Sequence, residues 1–67
     1  MLLVRVIFNR QFCSMIIDGR LPIYEGLKEG LFLVPEEQAR LFCLKAIEIE
    51  NVTKVSVFRQ IKTYNKH

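Results

Sequence analysis

The segment KVSVFRQIKTY, residues 54–64, holds the densest grouping of chemically suggestive side chains in the sequence. Read as one strand with period two, it sets Val55, Val57, Ile61 and Thr63 on one face, with Arg59 the exception among them. Lys54, Ser56, Phe58, Gln60, Lys62 and Tyr64 point the other way. Cations beside exposed rings are what a single-strand nucleic-acid binder uses, phosphates meeting the charges and bases stacking on the aromatics. The candidate interaction residues are therefore Lys54, Phe58, Arg59, Lys62 and Tyr64. If the tail's basic residues Lys54, Arg59, Lys62 and Lys66 all met duplex phosphates, affinity would fall about a hundredfold between roughly 50 and 200 mM salt.

The same residues fit a protein interface. Phe58 and Tyr64 would pack on the helix or on a partner subunit, with the lysines at the rim, since aromatic residues are enriched at such seams. A net charge of +3 and a sequence pI near 9.1 are mild, and no RNP-like or helix-turn-helix pattern accompanies them. Protein contact is the preferred reading, with nucleic acid as the alternative.

Little else could do chemistry. His67, the single histidine, is the last residue given, and neither Cys13 nor Cys43 has a neighbouring base or CxxC spacing. Bridging the two cysteines would close a loop of about 30 residues, but small disulfide-dependent domains usually carry more cysteines than two, so buried thiols acting as small hydrophobes are expected. Glu36 and Glu37 suit the first turn of a helix, where the macrodipole favours negative charge. Glu48 and Glu50, two apart on a helix, diverge. "EGLKEG" (25–30) has glycines without the spacing of a phosphate loop. The expectation is a non-enzymatic protein with no catalytic residues, no cofactor and no metal.

In composition, 67 residues make one domain, of which 51% are hydrophobic, with a mean hydropathy of +0.19. So short a chain buries only about 60% of the surface its unfolded form exposes. Apolar side chains should remain accessible, and a two-fold homodimer is the commonest way of covering them. The expected partner is thus a second copy, with the last strand or a broad helix face at the seam. Another protein is the further candidate, as for an inhibitor or antitoxin-like partner. The N-terminal run MLLVRVIF contains Arg5 and is far shorter than the roughly 20 residues of a spanning helix. It lacks signal-peptide order as well, so no membrane association and a cytoplasmic location are expected. Charge is uneven: residues 1–24 sum to +2, residues 25–50 to −3, and residues 51–67 to +4.

The elements that must position these residues read as an α+β fold. A small antiparallel sheet of four or five strands, in the order β-β-β-(β)-α-β, carries one amphipathic helix. "LLVRVIF" (2–8) and "FCSMII" (12–17) are strands by their β-branched and aromatic content. Asp18-Gly19 signals a two-residue hairpin turn of type I′. Leu21 to Tyr24 is a short edge strand, because Pro22 has no N–H for a ladder. Residues 25–30 form a loop or irregular turn, and LFLV (31–34) is a further strand candidate. Pro35, Glu36 and Glu37 open a helix to about residue 50, with Ala39, Phe42, Cys43, Ala46 and Ile47 as its buried stripe and Leu41 and Leu44 widening it. Asn51 suits a left-handed C′ position followed by a contact from Val52. The final strand is expected from about Thr53 to Thr63.

Overall fold

A computed structural model describes residues 1–10, 15–58 and 63–65. The strands are β1 (Leu2–Phe8), β2 (Tyr24–Glu25), β3 (Glu29–Val34), β4 (Val52–Val57) and β5 (Thr63–Asn65). A 3₁₀ turn (Glu36–Gln38) leads into the helix α1 (Ala39–Ile47) between β3 and β4. The strands form one sheet in the order β2-β3-β1-β4-β5, antiparallel at every pairing. This is the small α+β fold that the sequence suggests, and residues 31–34 do join the sheet as most of β3.

The core lies between the sheet and α1. Val4, Val6 and Phe8 of β1, Phe32 and Val34 of β3, and Val52, Val55 and Val57 of β4 project toward the helix and are buried. The helix returns Ala39, Phe42, Cys43 and Ala46, all buried, while Ile47 is half-buried against the same cluster. That is the stripe set by 3.6-residue periodicity. Phe32 and Phe42 meet with ring centroids 5.2 Å apart and planes tilted by 52°, within the range where aromatic edges and faces attract. Cys43 fills core space as a small hydrophobe; Cys13 lies outside the described residues.

Local rules explain the connections. Asp18 and Gly19 take φ of 52° and 74°, the two positive values a type I′ turn demands. Ile17 and Arg20 close it by exchanging backbone hydrogen bonds of 3.0 and 2.9 Å. Lys45 of α1 reaches this turn and donates to Asp18 Oδ1 at 2.8 Å. Arg20 donates to the side-chain carbonyl of Gln38, so the turn is tied to the helix at both ends. Asn51, at φ 78°, takes the expected left-handed conformation, and the Val52 N–H donates to Ile49 C=O at 3.1 Å.

Several expectations need correction. Of the strand placed at 12–17, residues 12–14 lie outside the described residues, Met15 and Ile16 are not in a strand, and Ile17 makes only an isolated bridge. The strand placed at 21–24 contracts to Tyr24–Glu25, because Pro22 offers no donor to the ladder. The segment 25–30 is shorter as a turn than expected, since β3 begins at Glu29. The helix stops at Ile47 rather than near residue 50; beyond it the Ile49 N–H donates back to Ala46 C=O at 3.1 Å and Asn51 turns the backbone left-handed. Pro35 stands just before the 3₁₀ turn with extended ψ of 141° rather than inside the helix. The long final strand is two strands: β4 ends at Val57, and β5 returns antiparallel beside it.

A candidate interaction surface on the open face of the sheet

Alternation along the strands assigns every second residue to the face opposite α1, and the register sorts these residues into rows. Leu33, Leu3 and Phe58 form one row: Leu3 opposes Leu33, and the Phe58 N–H donates to Leu3 C=O at 3.0 Å. Tyr24, Leu31, Arg5, Ser56 and Thr63 form the next. Glu29, Ile7, Lys54 and Asn65 form the third. Helix α1 covers the other face and no described element covers this one.

The rows differ in chemistry. The first is apolar and exposed, with Phe58 at 47% and Leu33 at 40% of their full accessibility. With Met1 and Leu2 they line a shallow depression of about 310 Å³. The third row is charged at both flanks. Glu29 accepts from Arg5 Nε at 2.6 Å, and Lys54 is exposed on the far side of Ile7. One end of the face is thus greasy and the other carries an ordered set of charges.

The candidate residues from the sequence separate on this framework. Lys54 and Phe58 share the open face, four residues apart along β4 and its end. Tyr64 does not join them. It pairs with Val55, whose side chain is in the core, and packs against that core on the helix side. Arg59 and Lys62 lie outside the described residues. Tyr64 therefore does not share the face of Lys54 and Phe58, because period-two alternation does not carry past the end of β4 at Val57.

Sequence reasoning missed Leu3, Leu33, Arg5 and Glu29 as surface candidates. A signal for the leucines was present. β1 and β3 read LLVRVIF and EGLFLV, nearly continuous apolar runs of the kind found in strands covered on both faces. A sheet with one wet face alternates apolar and polar residues instead. The total accessible surface of 4607 Å² is close to the roughly 4,400 Å² expected of a compact monomer of this mass. The chain is thus ordinarily compact.

Exposed leucine and isoleucine side chains also occur elsewhere, at Ile16, Leu21, Ile23 and Leu27 around β2 and at Leu41 and Leu44 on the outside of α1. Neither group lines the depression beside Phe58. Among the described residues, no three His, Cys, Asp or Glu side chains are grouped so as to hold a metal ion, and no helix is long and apolar enough to cross a membrane. Compared with known proteins, the chain matches no family model, no curated protein and no solved structure.

Proposed function

We propose that this is a non-enzymatic interaction module that works by protein contact through the open face of its sheet, as a homodimer. The observation that supports the reading is the row Leu33–Leu3–Phe58, an apolar band exposed at Leu33 and Phe58 that runs from β3 across β1 to the residue after β4. A band held on a rigid sheet needs little ordering on binding, which removes one of the main costs of association. The reading places the module in the cytoplasm, where its cysteines stay reduced.

Isotope-filtered NMR tests this. A mixture of labelled and unlabelled protein is expected to give intermolecular contacts at the Leu3, Leu33 and Phe58 side chains. Contacts confined to α1, or none at millimolar concentration, would remove the proposal. The nucleic-acid alternative loses one of its two stacking rings, because Tyr64 packs on the core side. Salt-sensitive oligonucleotide binding that Lys54→Glu abolishes would favour that alternative.

A further inference from the structure

We infer that the second copy docks with its two-fold axis running along β1, forming a sandwich of two sheets with the helices outside. The inference rests on the open face being the seam, and the register then fixes the arrangement. A two-fold axis that brings two identical sheet faces together lies between them and parallel to both, and aligned packing of the strands sets it along the strands or across them. An axis along β1 keeps each residue's position along the strand and exchanges β3 with β4. Leu3 then meets Leu3 of the second copy, and Ile7 meets Ile7. Leu33 meets Phe58 of the second copy, and Phe58 meets its Leu33.

The charged row is matched by the same operation. Glu29 on β3 and Lys54 on β4 flank Ile7 on β1 at equal remove, so each Glu29 comes to face Lys54 of the other copy. An isologous seam has to be complementary to itself in this way. Arg5 lies on the axis, where two guanidinium groups would repel. Its side chain is instead drawn sideways onto Glu29, which moves the charge off the axis and neutralises it. An axis across the strands would set the Leu33–Leu3–Phe58 row against the row of Glu29 and Lys54, leaving charges desolvated against leucine. The usual twist of packed sheets, with strand directions about 30° apart, displaces facing residues more the farther they lie from the axis, least on β1 and most on β2 and β5.

A charge-exchange experiment tests the arrangement. Lys54→Glu sets a second carboxylate against Glu29 at both symmetric positions, and Glu29→Lys sets a second ammonium against Lys54. Each variant alone is expected to self-associate about tenfold more weakly than the wild type at low salt. Mixed in equal amounts they form a heterodimer in which every facing pair again joins a carboxylate to an ammonium. The mixture is expected to regain association within about threefold of wild type, and the differences to shrink above roughly 0.5 M salt. A mixture that associates no better than its components, with the wild type dimeric, would overturn the axis while leaving the open-face seam standing. A wild type that stays monomeric would overturn both.

Circular dichroism checks that each variant is folded. Because Glu29→Lys also removes the Arg5 pair, carbodiimide coupling of wild-type protein supplies a readout free of mutation. A mixture of ¹⁵N-labelled and unlabelled chains is expected to yield a Lys54–Glu29 amide joining one labelled and one unlabelled peptide. Coupling found only within single chains would overturn the arrangement.

Discussion

Truncating Phe58 to alanine separates the role of the open face in association from its role in folding. Phe58 retains 47% of its accessibility in the isolated chain. A phenylalanine offers about 200 Å², so about 95 Å² of the ring remains to be buried. At about 25 cal/mol per Å² this amounts to roughly 2.4 kcal/mol per copy on docking. Alanine would recover about a third of it, leaving a loss of about 1.6 kcal/mol, or about 3 kcal/mol over the two symmetric positions. The dissociation constant of Phe58→Ala is then expected to rise at least about a hundredfold. The half of the ring already covered in the monomer, in the depression with Leu3 and Leu33, contributes roughly 2.6 kcal/mol to folding on the same bookkeeping. The assay is sedimentation velocity over a concentration series, with urea unfolding of the same samples. Leu41→Ala, on the outside of α1, is the control and should shift association less than about twofold. A folded Phe58→Ala that associates within about threefold of the wild type would refute the reasoning.

Other changes test the fold that carries the face. Phe42→Ala removes a fully buried ring from contact with Phe32 and should cost about 3–5 kcal/mol. A domain of this length has a total stability of roughly 3–10 kcal/mol, so its far-ultraviolet dichroism at physiological temperature should fall well below the wild type's. At Asn51, φ 78° predicts that Asn51→Gly is neutral or mildly stabilising and that Asn51→Ala loses about 1 kcal/mol; thermal melts rank the three. Gly19→Ala, at φ 74° with open space around it, should lose about 1–2 kcal/mol from backbone conformation alone, which urea titration reads. Lys45→Ala breaks the pair with Asp18, whose side chains are 52% and 24% exposed, and should lower stability by less than about 1 kcal/mol.

Much of this molecule can be read from its residues where the physics is local. The helix stripe of Ala39, Phe42, Cys43 and Ala46 follows from one period, the Asp18-Gly19 reversal from one dipeptide, and the Asn51 backbone from one residue's tolerance of positive φ. The reading weakens where a decision depends on distant partners. β3 looked optional because its best partner, β1, is more than twenty residues away. Lys54 to Tyr64 alternates on both sides of the reversal, and no Gly, Pro, Asn or Asp stands between Val57 and Thr63 to mark it. The period-two pattern therefore runs on past the end of β4, and it assigns Tyr64 to the face opposite the one it takes. Glu29 and Lys54 are 25 residues apart in sequence and come to flank Ile7 only through the pairing of β1 with both neighbours. The leucines of β1 and β3 did carry a signal, since Leu3 and Ile7 of β1 and Leu31 and Leu33 of β3 are apolar at positions that alternation assigns to the outer face.

The most direct test is the mass of the native particle by sedimentation equilibrium at micromolar concentrations and above. A particle of twice 7.9 kDa is expected, dissociating on dilution and weakened by Phe58→Ala. A wild-type particle that remains at 7.9 kDa through the millimolar range would contradict the claim that a second copy covers the open sheet face.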